Sequence, residues 1–118
     1  MNMQRLLCAA VATGLSAFGA GAIVAPRPSA MMFGLASADP TALAWVRAAG
    51  ARDLILGLII LSLLDEPKAL RRAVGCTSLV GLADGVMLAA LRGLRPSHIF
   101  HLGGFAAVAG LALTLPDE

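Results

Sequence analysis

The sequence predicts an all-α integral membrane protein, a four-helix bundle that fills one domain over residues 1–118. Three observations lead there. First, 58% of the residues are hydrophobic, only 14% are charged and the mean hydropathy is +0.84, whereas soluble domains carry about 25% charged residues. Second, stretches of about 20 apolar residues recur between short polar turns, and several are apolar all round. A soluble bundle would instead alternate polar and apolar faces. Third, four such stretches use most of the chain and leave little for an extramembrane domain.

The first span is expected at about 6–25: it runs from Leu6 to Ala25 without a charge, behind Arg5, and ends at Pro26-Arg27-Pro28. A proline pair at that point stops a helix. The same stretch also satisfies the pattern of a cleaved signal peptide, with Arg5 as its basic head and Ala20-Gly21-Ala22 as a cleavage-like triplet. From Pro26 to Asp39 the chain reads as a connector, with Met31-Met32-Phe33-Gly34-Leu35 too short to span but apolar enough to lie at the interface.

Asp39-Pro40 has the form of an N-cap followed by proline at the first helical position, so the second span is placed at about 41–64. Trp45, the single tryptophan, falls where an interfacial aromatic belongs. Asp65-Glu66-Pro67-Lys68 is a tight turn, and the third span follows at about 69–91, with Arg71 and Arg72 at its entry. Arg92 to Ser97 makes the next turn, Ser97 serving as cap of a fourth span at about 98–115. Its length of about 27 Å, at about 1.5 Å per residue, is just enough to cross. Small residues recur at helical spacing and predict close packing: Ala10, Gly14, Ala17 and Gly21 in the first span, Gly50 and Gly57 in the second, Gly81 and Gly85 in the third.

Four spans put both termini on one side. That side carries Arg5, Lys68, Arg71 and Arg72, and the other Arg27, Arg92 and Arg95. The small excess favours cytoplasmic termini in a bacterial inner membrane. The charges are scattered, without the basic stripe that tracks phosphates, which argues against nucleic acid as a partner. The lipid bilayer is the expected partner, and self-association stays open. Cys8 and Cys76 stand apart without a CxxC pattern and read as small buried apolar side chains, a disulfide between them being left open.

The informative residues are polar ones inside the spans. A charge at the centre of a span costs about 2.5–3.5 kcal/mol, so Arg52 and Asp53 together cost about 5–7 if unpaired. Large apolar residues from Leu54 to Leu64, at about 0.3–0.6 kcal/mol each, offset much of that. Asp53 falls about 20 Å along the second span and Asp84 about 10 Å from the far end of the third, on the same membrane side. His98 and His101 open the fourth span from that side as well. Gly50, Asp53 and Gly57 share one helical face, Thr77, Gly81, Asp84 and Leu88 another, and His98 and His101 are neighbours at i, i+3. A polar pocket in one half of the bilayer is the economical reading.

The pattern Arg47-x4-Arg52-Asp53-Leu54-x-Leu56-Gly57-Leu58, with Asp84 in the third span, His98 at the head of the fourth and Phe33-Gly34 in the first connector, resembles a group of small four-span bacterial and fungal membrane proteins catalogued as a domain of unknown function. The resemblance covers nearly the whole chain. It implies a four-helix membrane domain and supplies no established reaction.

Such a pocket suits acid–base chemistry on a lipophilic small molecule, with isomerisation, cyclisation and epoxide opening all compatible. Asp84, His101 and Asp53 are the candidate catalytic residues, since carboxylates out of water and an imidazole exchange protons near neutral pH. Arg52, Arg47 and His98 are the candidate substrate-binding residues. Against this stand plainer readings: Arg52 and Asp53 as a register-fixing ion pair, Arg47 snorkelling to the interface, and His98 as a helix-start residue. A proton-linked transporter or binder, and a structural subunit, use the same residue types. Two histidines at i, i+3 near an aspartate are a weak metal pattern beside arginines, so no metal is expected. No nucleotide loop, nucleophile elbow or haem motif occurs, and no cofactor is implied.

Overall fold

Each of the four predicted spans forms a helix, and a fifth, short helix lies between the first two. The computed structural model describes residues 2–32, 34–35, 39–96 and 98–116, without the side chains of Arg92 and Phe100. Phe33 of the motif and Ser97 as the expected cap fall outside the described residues, as does the loop role of the Arg92 side chain. The order is α1 (Met3–Val24), α2 (Pro26–Met32), α3 (Pro40–Ser62), α4 (Pro67–Arg92) and α5 (His98–Thr114).

Local chemistry sets the helix ends. Asn2 caps α1 by accepting the Arg5 amide at 2.9 Å, and Asp39 caps α3 by accepting the Ala42 amide at 2.8 Å, with Pro40 at the first helical position. Both satisfy amides that no helical carbonyl reaches. The connector expectation is corrected at Pro26 and Pro28. Proline breaks a helix interior but suits a first turn, so the residues that stop α1 also start α2. Gly93 ends α4 at φ +72°, a backbone that side chains rarely adopt.

The long helices form two pairs. α1 packs along α3, α4 packs along α5, and the pairs meet along a narrower seam. At the end holding both termini and the α3–α4 turn, Cys8, Ala12, Ile60, Leu70, Val74, Ala112 and Leu115 form one buried core drawn from all four long helices. Arg5 bonds Asp65 there at 3.3 Å. Toward the other end the two pairs separate around a cavity.

Glycines make the first pair close. A Cβ at Gly57 would overlap Ser16 Oγ and the Ala12 carbonyl, and one at Gly50 would stand 2.7 Å from Ala22 Cβ. The face of α1 that packs is therefore Cys8, Ala12, Gly19 and Ala22, while the expected Ala10, Gly14, Ala17 and Gly21 face is exposed. Small residues lie all round α1, so spacing alone does not select the buried face.

Among the described residues, two helices, Met3–Val24 and Pro67–Leu91, are long and apolar enough to cross a membrane. α3 has the length but carries Arg47, Arg52 and Asp53, and α5 has only 17 residues. Outside the core, Leu6, Leu7, Ile55, Leu58, Leu79, Val86, Met87, Ile99 and Leu113 are exposed. Large contiguous apolar patches are rare on soluble monomers. Both cysteines are free, Cys8 buried and Cys76 exposed.

Candidate functional site

Arg52 reaches from α3 across the seam to α4. Its Nη1 donates to Asp84 Oδ1 at 3.0 Å and its Nη2 to Asp84 Oδ2 at 2.6 Å, a two-pronged guanidinium–carboxylate pair. Nε and Nη2 also donate to Asp53 Oδ1, at 3.1 and 2.9 Å. Four of the five guanidinium N–H groups are thus engaged by carboxylates. The aspartate side chains keep only 15% (Asp53) and 19% (Asp84) of their exposure, and Arg52 keeps 37%.

Helix packing places the remaining site residues. α5 meets α4 with its backbone at Gly81 and with the side chains of His101 and Leu102 at Gly85, where a Cβ would stand 3.4 Å from His101 Cβ. Asp84 sits between these glycines in sequence, so the packing of α5 against α4 there brings His101 to its level. Asp53 is positioned by the other pair: Gly50 and Gly57 bury against α1, and Asp53 turns toward the seam.

Arg52, Asp53, Asp84 and His101 all line one cavity of about 390 Å³ between the two helix pairs. The remaining wall is mainly apolar, with Val11, Leu15 and Phe18 from α1, Leu56 from α3, Val80 from α4, and Phe105 and Val108 from α5. Thr77 and Ser78 add two hydroxyls, each already donating to its own helix, to the Ala73 carbonyl at 2.8 Å and the Gly75 carbonyl at 2.7 Å. Their oxygens therefore meet the cavity as acceptors.

Arg47 and His98 do not line this cavity. Arg47 Nε donates to the Ile23 carbonyl in the last turn of α1 at 3.2 Å, satisfying a carbonyl left open at that helix end. His98 is buried at the start of α5, where its Nδ1 accepts the Arg95 amide at 3.2 Å. The sequence pattern does not single out Ser78, Phe18 or Phe105. The last lies one turn beyond His101, and extending the His101 face by four residues would have reached it. Among the described residues, no group of three or more histidines, cysteines or acids is gathered as metal ligands.

Five helices, two of them fit to cross a membrane, with an intrahelical Arg-Asp pair bonded to an aspartate of the next long helix, define a small α-helical protein of membrane character. Residues 12–115 match the family described as Domain of unknown function (DUF4267), and the chain belongs to that family. No curated protein and no solved structure matches it.

Proposed function

We propose that the chain is a small integral membrane protein whose four long helices cross the bilayer, and whose central cavity takes a lipophilic small molecule and exchanges protons with it. One observation carries this reading: a largely apolar cavity has its charged groups, Arg52, Asp53 and Asp84, on its wall together with His101. Apolar pockets with a few converging polar groups are the usual form of a small-molecule site. The exposed leucines, isoleucines and methionines of the helix exteriors support the bilayer placement.

The charge balance narrows the ligand. Two carboxylates meet one guanidinium that is already engaged, and the nearby hydroxyls offer lone pairs. A ligand that donates hydrogen bonds, through a hydroxyl or a protonated amine, fits this wall better than a carboxylate or phosphate ester, which the aspartates would repel. Arg52 then serves as a positioning residue that holds both carboxylates. Asp53 takes both Arg52 bonds on Oδ1, which leaves Oδ2 for a ligand. Asp84 and His101 exchange the protons. Isomerisation and cyclisation take in one proton and release one, so a carboxylate and an imidazole on one cavity cover them without a cofactor.

The test is to extract the small molecules that purify with the protein and follow them in cells expressing Asp84→Asn. The expected outcome is a variant that folds, retains the compound and does not convert it. Conversion at the normal rate by folded Asp84→Asn sinks the assignment. Proton-coupled transport uses the same groups and gives a different result, pH-driven uptake into liposomes without chemical change. A structural reading draws on the Arg52 bonds themselves, which tie together two helix pairs that otherwise meet narrowly.

A further inference from the structure

α4 opens with cations at the wrong end for its own dipole. Lys68, Arg71, Arg72 and Gly75 stand at i, i+3, i+4 and i+7, one helical face, and the first turn holds no acid. Glu66, at the N-cap, makes no side-chain capping bond. The positive pole of a helix repels cations placed beside it and attracts anions. Asp65, the other acid of the turn, is bonded by Arg5 at 3.3 Å.

A cleft of about 510 Å³ runs along this face, lined by Lys68, Arg71, Arg72, Gly75, Ala112 and Leu113. It shares no residue with the central cavity. Nothing stands within 4 Å of where a Gly75 Cβ would be, so the cleft stays open beside the cations. Leu113, 77% exposed, forms part of its α5 wall. Cations on one side and an apolar wall on the other match an ion with a hydrocarbon tail, and a free ion makes no use of the second.

We infer that this cleft binds the phosphodiester headgroup of an anionic phospholipid, the phosphate between Lys68 and Arg72 and an acyl chain along Ala112 and Leu113. The inference rests on the bilayer placement proposed above. Basic pockets beside spanning helices bind anionic headgroups in this way.

Native mass spectrometry of the full chain in detergent, titrated with phosphatidylglycerol or with phosphatidylcholine of the same chains, tests it. Phosphatidylglycerol is expected to be retained preferentially. Each cation near an anionic surface contributes about fivefold in affinity, so Lys68→Gln/Arg72→Gln should weaken phosphatidylglycerol about 25-fold and leave phosphatidylcholine unchanged. An unchanged helical signal and melting point show that the variant folds. Equal retention of the two lipids overturns the inference, as does full phosphatidylglycerol retention by the double variant. Complete displacement of the lipid by millimolar inorganic phosphate overturns it too, since the ligand is then the free anion. Release of the protein from membranes without detergent is a separate result, and sinks the bilayer placement itself.

Discussion

Replacing Arg52 with Met removes the bonds that tie α3 to α4 and keeps the bulk of the side chain. Four hydrogen bonds from one guanidinium are lost at once. Asp53 and Asp84, whose side chains keep 15% and 19% of their exposure, are left as neighbouring carboxylates without a counter-charge. Breaking a buried ion pair from one side costs about 3–5 kcal/mol. The 37% exposure of Arg52 lets water screen part of the charge, which puts the expected loss near the lower end, about 3 kcal/mol. Removing Asp84 as well takes away one stranded charge, so Arg52→Met/Asp84→Leu should be more stable than Arg52→Met alone by about 1–2 kcal/mol, non-additivity typical of partners in one network. Unfolding in mixed detergent–SDS micelles, followed by circular dichroism, gives both numbers. A loss under about 1 kcal/mol with no recovery in the double variant would refute the view that these bonds hold the helix pairs together.

Further outcomes follow from the same contacts. Gly57→Ala places a Cβ on Ser16 Oγ and the Ala12 carbonyl, so it should lower stability by about 1–3 kcal/mol although alanine favours the helix. Gly21→Ala, with nothing within 4 Å of the new Cβ, should be neutral or stabilising by up to about 1 kcal/mol; equal losses at the two sites in the same SDS titration would contradict the α1–α3 interface. Cys76 faces outward about 14 Å along α4, so a water-soluble maleimide should leave it unlabelled in intact membranes and label it after solubilisation, whereas rapid labelling in intact membranes contradicts the bilayer placement.

Helix positions were legible because apolar runs and their polar punctuation report directly on element boundaries. The expected 41–64 and 98–115 lie within a few residues of Pro40–Ser62 and His98–Thr114. Arg52, Asp53, Asp84 and His101, placed near one level by their distances along the helices, do share a cavity. Facing was less so. In α1, alanine and glycine occupy every side, and only the partner helix decides that Ala12 and Gly19 are buried while Gly14 lines the cavity. Proline misled at Pro26 and Pro28, where the residue that ends one helix begins another. Arg47 and His98 share the charge and aromatic nitrogen of site residues, but each meets a backbone group at a helix end, a use that sequence spacing does not distinguish from binding.

A side chain placed inside the cavity tests it as a ligand site without touching the charged cluster. Gly14 lines the cavity, and nothing stands within 4 Å of a Cβ built there. Gly14→Leu should therefore fill space while leaving the helix contacts intact. Mass spectrometry of organic extracts from the purified wild-type and Gly14→Leu proteins makes the comparison, with circular dichroism confirming equal helicity. A lipophilic, hydrogen-bond-donating compound retained by the wild type and lost from Gly14→Leu is the predicted result. The same extract from both proteins, with no compound dependent on the open cavity, would contradict it.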